Sequence, residues 1–311
     1  MVEIFLKILP FFAVIGLGYA AVRTRFFSEE ATVYLTRFVF YFALSAMLFG
    51  FAANLDVAAI LSWPLVLAYL LGTSVVWLLV AAVALWRGTN REEAVFEAHT
   101  GVIGNVGFLG IPMLALLLGP DAVGPVLLVL AVDLIVFSSI LTMSVTGLRA
   151  GRVSAQTFRI LAVGLAKNPM IVSTVLGIAW GTTGLALPGP VNEFMSLLGA
   201  AATPCALFAI GASLAGRSAE RMQVAAWLST AKLVLHPAAV AAACWAFGIG
   251  GYAAGVTIAA AALPVAGNVF ILAQHYRVAP QRVSTAILLS TAASVLTVTA
   301  VIALIGQGGS P

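Results

Sequence analysis

Apolar residues fall along this chain in long runs, bounded by short clusters of charge, glycine and proline or asparagine. About 20 apolar residues span the hydrocarbon core as a helix. Ten runs approach or exceed that length: 4–22, 33–53, 63–86, 95–118, 123–147, 168–186, 191–215, 223–247, 252–275 and 282–305. The pattern predicts ten transmembrane helices joined by short loops. Charge gives an independent check, because lysine and arginine collect in cytoplasmic loops. Arg23, Arg25 and Arg37 lie at the first loop, Arg87 and Arg91 in the third, and Arg149, Arg152, Arg159 and Lys167 in the fifth. Arg217 and Arg221 follow in the seventh, and Arg277 and Arg282 in the ninth. Thirteen of the fifteen basic residues therefore share one side, with Lys7 and Lys232 as the exceptions. That asymmetry places both termini outside the cytoplasm, in a plasma (inner) membrane protein.

Two runs carry the means of their own interruption. Gly104 to Pro112 reads Gly-Asn-Val-Gly-Phe-Leu-Gly-Ile-Pro in the fourth span. Each glycine weakens a helix by about 1 kcal/mol and a proline by about 3 kcal/mol, so the ladder should open here. Gly-Asn-Val recurs at Gly267, Asn268 and Val269 in the ninth span, beside Pro264. Non-helical backbone at membrane depth is tolerated only against protein or a water-filled cavity, so both segments should line a site. The recurrence is part of a longer echo. Pro10 precedes Gly18 by eight residues and Pro169 precedes Gly177 by eight, an offset of 159, while the two Gly-Asn-Val copies lie 163 apart. Units of five spans follow, and an odd number inverts the second relative to the first. The expected fold is an all-α integral membrane protein of ten transmembrane helices in two inverted five-helix repeats, 1–147 and 168–306. A cytoplasmic connection, 148–167, joins them, a disordered tail, 307–311, follows, and the broken helices 4 and 9 cross.

Composition supports the class. Of 311 residues, 62% are hydrophobic and 8% charged, too few polar groups to cover a soluble domain. The net charge of +4 is scattered over loops, which suits membrane orientation and not nucleic acid. Cys205 and Cys244 lie in apolar runs, where a thiol acts as a small hydrophobe. The first run has Glu3 before it and Arg23 and Arg25 directly after it, which reads as a first span and not a cleaved leader. No metal-ligand spacing, Walker loop, nucleophile elbow or dinucleotide fingerprint appears, so neither an enzyme nor a cofactor is expected.

An opened helix bares amides at the start of its following half, with partial positive charge, and that suits a carboxylate. Asn105, Gly107, Pro112, Pro264 and Asn268 are the candidate substrate-binding residues; either asparagine could instead cap its break. Asp133 lies ten residues inside the fifth span, too deep to reach an interface, and an acid there costs at least about 2.5 kcal/mol. It should face a cavity, pair with a cation, carry a proton or, if protonated, make a structural hydrogen bond. Lys232 is deep in the eighth span with His236 one turn on; it either snorkels as an anchor or fixes a positive charge near an anion. These three are candidates for coupling and charge balance. Ser290, Ser294 and Thr297 share a face of the last span, as close-packing residues or as a path for a cation. His99 and His275 fall at the cytoplasmic ends of the broken spans. The coupling ion expected is a proton or sodium.

The chain resembles the auxin efflux carrier family, which includes the plant PIN-type auxin transporters and bacterial carriers of malonate and similar acids. The resemblance covers all ten spans. It rests on Asn105 to Pro112, Asn168-Pro169, Pro204 to Gly211, Lys232 to Pro237, and Ala262 to Tyr276 around Pro264 and Asn268. It implies a crossover at Pro112 and Pro264, an organic anion beside Asn105, a scaffold of helices 1, 2, 6 and 7 with elevator-like movement of the rest, and a homodimer. The third span, Trp63 to Trp86, lacks the acid and lysine that plant members carry, and the long plant loop is absent. The first departure argues against auxin itself, and the second means that the loop's regulation does not carry over. The expected activity is secondary transport of a small carboxylate such as malonate, malate or an auxin-like acid across the lipid bilayer. A sodium-coupled bile-acid-type symporter and a ligand-binding membrane sensor without flux are the alternatives.

Overall fold

A computed structural model describes residues 2–54, 62–150, 155–216 and 221–308; Arg152, Arg217 and residues 309–311 of the expected tail lie outside them. In chain order its helices are α1 (Phe5–Arg23), α2 (Glu29–Ala53), α3 (Trp63–Trp86), α4 (Arg91–Thr100), α5 (Val106–Leu118) and α6 (Pro120–Arg149). After α7 (Ala155–Ala166) come α8 (Pro169–Gly181), α9 (Gly189–Ala215), α10 (Met222–Ala246), α11 (Gly251–Ala261), α12 (Gly267–Tyr276) and α13 (Pro280–Ile305). Seven of these, α1, α2, α3, α6, α9, α10 and α13, are long and apolar enough to cross a membrane. Among the described residues the one extended pairing is an antiparallel bridge between Gly104 and Val265.

Local chemistry sets where the helices begin. Ser28 Oγ accepts from the Ala31 amide at 3.0 Å, Asn90 Oδ1 from Glu93 at 2.8 Å, and Asn168 Oδ1 from Met170 at 3.0 Å. Each satisfies an orphan donor of the first turn, with Pro169 at a position that needs none. Glycines then decide which helices touch. A β-carbon on Gly211 would lie 1.8 Å from the Ile15 carbonyl oxygen, so α9 meets α1 backbone to backbone. Gly177 brings α8 equally close to α2, where its β-carbon would meet the Phe49 oxygen at 2.7 Å. Small residues are how membrane helices approach closely without a hydrophobic drive between them. Leu78, Trp86, Leu197 and Leu296 are more than 60% exposed, an outward face that only hydrocarbon would cover without cost.

Hydrogen bonds tie one group of helices together. Side-chain hydrogen bonds between helices or their flanking turns join the helices of the set α3–α6 and α10–α13 to one another. Where α5 of that set meets α8, the contact is apolar, Gly107 against the Met170 methyl.

Candidate functional site

The fourth span opens at 101–105, between α4 and α5, and the ninth at 262–266, between α11 and α12. The two openings pair with each other. The Asn105 amide donates to the Pro264 carbonyl at 2.8 Å, and the Ala266 amide donates to the Ile103 carbonyl at 3.1 Å. A third freed amide, Val265, donates to Ser290 Oγ at 3.1 Å, and that hydroxyl donates onward to the Ile287 carbonyl. Buried backbone thus finds partners in the only way open without water. The crossover lies at Gly104 and Val265. Pro264 sits within it, whereas Pro112 does not: it is buried in α5, beyond a π-helical turn, Val106–Gly110. Pro112 is the seventh residue of α5, and the π-helical turn just before it is the kind of local adjustment that accommodates a proline in a membrane helix, so α5 continues through it.

Past the crossover the amides of Val106, Gly107 and Phe108, and those of Gly267 and Asn268, have no backbone partner among the described residues. Leu109 and Gly110, by contrast, both donate to the Asn105 carbonyl. Two helix starts, α5 and α12, therefore leave the crossover with bare donors and the positive ends of their dipoles. The Asn105 side chain is 7% exposed and makes no hydrogen bond among the described residues; Asn268 Oδ1 is buried and unpartnered. Gly107 and Gly110 are filled on their far sides by Met170 and Leu263.

Behind the crossover lies a buried string of polar groups. Lys232 is fully buried, and its ammonium donates to the Ala261 carbonyl that ends α11 and stands 3.2 Å from His236 Nδ1. Gly104 is shaped to it, since a β-carbon there would lie 3.2 Å from Lys232 Nζ. His236 Nε2 is 3.0 Å from Thr73 Oγ1 on α3. One turn before Thr73, Tyr69 donates to Asp133 Oδ1 at 2.8 Å, leaving Oδ2 buried without a partner. Asp133 and Lys232 feel one another's charge but form no direct ion pair. Both sit in π-helical turns, Asp133–Phe137 and Ala231–Leu235. Such turns insert an extra residue, re-aiming side chains in long helices, and recur at functional sites.

The hydroxyls of α13 are placed differently from one another. Ser290 serves the crossover, Ser294 donates to the Thr291 carbonyl at 2.8 Å, and Thr297 Oγ1 is buried without a partner. His99, expected at a boundary, is fully buried, with neither ring nitrogen partnered. The pattern also hid an ionic plate. Glu97, 1% exposed, pairs with both Arg87 and Arg282, and Glu93 reaches Arg282 at 3.3 Å. Beside it Arg149 pairs with Glu92 at 2.7 Å and donates to the Tyr276 carbonyl. Arg282, read from the sequence as a loop charge, is only 4% exposed. Tyr69 and Thr73 went unread as well. Their spacing of four on the buried face of an otherwise apolar span was the available signal.

The family model described as "Membrane transport protein" matches residues 3–302. A protein of Rhizobium meliloti named "Putative malonate transporter" is 33% identical over 321 residues, covering 100% of this chain and 98% of its own. Auxin efflux carrier component 5 of Arabidopsis thaliana is 24% identical over 90% of each chain. Auxin efflux carrier component 3a of Oryza sativa is 32% identical over 136 residues, 40% of this chain and 21% of its own. With a family match across nearly its whole length and a bacterial relative aligned end to end, the chain belongs to the auxin efflux carrier family of membrane transport proteins.

Proposed function

We propose that this transporter is a secondary carrier of a small organic carboxylate, with malonate the first candidate, working by an elevator-type exchange of access. The observation that carries the reading is the pair of bare amide ends, Val106–Phe108 and Gly267–Asn268, facing out of one crossover with Asn105 and Asn268 beside them. That geometry suits an anion that needs several donors and no fixed cation in contact. The name of the bacterial relative suggests malonate.

Two further features support the architecture of inverted repeats. Glycine contacts are reciprocal: α1, the first span, touches α9, the seventh, and α8, the sixth, touches α2, the second. Exchanging the halves maps one contact onto the other. The crossover and the contact of α3 with α10 map onto themselves. For the elevator, the support is the hydrogen bonding that ties α3–α6 to α10–α13. That set is bonded together internally, and its contact with α8, Gly107 against the Met170 methyl, is apolar and can slide.

Uptake of labelled malonate into proteoliposomes tests the site. A hydrogen bond to a charged group contributes about 1.5–3 kcal/mol, so Asn105→Ala should weaken saturable uptake about tenfold or more. An unaltered malonate dependence in Asn105→Ala and Asn268→Ala would remove the assignment.

A further inference from the structure

We infer that Asp133 is a proton-binding site coupled to the carboxylate site, and that the string Tyr69, Thr73, His236 and Lys232 ties its charge state to the crossover. This rests on the proposed carrier function. Three observations lead here. Asp133 Oδ1 is held by Tyr69, while Oδ2 is buried and has no hydrogen-bond partner among the described residues, free to bear a proton without losing one. Next, the string is continuous in space and ends on the crossover itself: Tyr69 and Thr73 share one face of α3, Thr73 meets His236, His236 meets Lys232, and Lys232 holds the Ala261 carbonyl against Gly104. The third is a charge count. With Asp133 ionised and Lys232 protonated the buried string is neutral, and each feels the other's field. A carboxylate arriving at the amide ends adds negative charge to a region with little solvent to screen it. A proton on Oδ2 removes the nearest buried negative charge, leaves the Lys232 ammonium uncompensated, and so offsets one charge of the substrate. No bond other than the O–H forms, and the proton comes from solvent.

The groups facing Asp133 are few. From α3 comes Tyr69 and from α10 Lys232; His236 stands behind them, against Thr73, Lys232 and the Tyr69 ring, and neither α5 nor α11 carries an acidic or basic residue. His99, also buried, makes no hydrogen bond to the string. The ionic plate of Glu97 and Arg282 is paired within itself.

Isothermal calorimetry of the purified protein with malonate, at neutral pH in two buffers of unlike ionisation enthalpy, counts the protons taken up on binding. The wild type should take up about one proton per malonate and Asp133→Asn none. Tyr69→Phe, which alters only the partner of Oδ1, should move the pH at which proton uptake changes, a shift that a merely structural hydroxyl would not cause. Malonate binding without proton uptake by the wild type overturns the inference and leaves the carrier reading intact, whereas absence of both malonate binding and malonate flux overturns the carrier reading itself. Proton uptake persisting in Asp133→Asn moves the site elsewhere. Loss of malonate binding by folded Asp133→Asn also overturns the inference, by placing the carboxylate in the binding machinery. If Asp133→Asn does not fold, an unchanged pH profile in Tyr69→Phe decides against it.

Discussion

Lys232 shows how much one buried charge can organise. It fills the space that Gly104 leaves empty, holds the last carbonyl of α11, and balances Asp133 across the interior. Removing one partner of a buried charge pair costs about 3–5 kcal/mol, chiefly because the other is left uncompensated, while removing both can be nearly neutral. Lys232→Met should therefore melt well below the wild type in detergent, and the double variant Lys232→Met with Asp133→Asn should recover part of the loss. Thermal unfolding of the four proteins in the cycle measures this. Strictly additive losses would show that the two charges do not interact. At this scale the sequence was partly legible. An acid ten residues inside an apolar run and a lysine within another announce themselves by cost alone. Tyr69 and Thr73 did not, because a tyrosine and a threonine in a membrane helix carry no such penalty, and only their partners give them a role.

Helices α4 and α13 meet through an element-scale version of the same chemistry. Glu97 is buried between Arg87 and Arg282, whereas Glu92 pairs with Arg149 at a surface where the two side chains are 29% and 45% exposed. Exposed pairs contribute about 0–1 kcal/mol and buried ones several times more when one partner is lost. Glu97→Gln should thus lower the melting temperature clearly and Glu92→Gln hardly at all, each read against wild type in the same detergent. Equal effects would mean that burial of the plate is not what joins α4 to α13. Charge periodicity placed these residues on one side of the membrane but could not say that they touch, since Arg87 and Arg282 lie 195 positions apart. The broken helices tell a related story. Composition located both interruptions to within a few residues, yet put the first across Gly104–Pro112 when the backbone opens at 101–105. A proline that follows a π-helical turn is compatible with a continuing helix, and the neighbouring span decides which glycines unwind.

For the whole molecule the testable feature is the boundary between the two groups of helices. Gly107 on α5 lies within side-chain reach of Met170 on α8, across that boundary. A Gly107→Cys, Met170→Cys pair, in a background with Cys205 and Cys244 replaced by alanine, should lose malonate uptake when bridged by mercuric ion and regain it on addition of thiol. A bridge that leaves uptake unchanged would show that α5 and α8 do not move past each other during transport.

Sequence alone determined the membrane class, the number and placement of the apolar runs, the two interruptions and the presence of an acid and a lysine where neither belongs without a reason. Each of these follows from the cost of placing a given residue at a given depth in hydrocarbon, a quantity local to a short window. Tertiary structure decided what the window cannot hold: that the two interruptions pair through Asn105 and Pro264, that Gly104 makes room for Lys232, and that Tyr69 and Thr73 link Asp133 toward His236. Those are contacts between residues 64 to 163 positions apart. Backbone groups freed inside a membrane must find partners wherever the fold brings them, and no pattern along the chain names the partner.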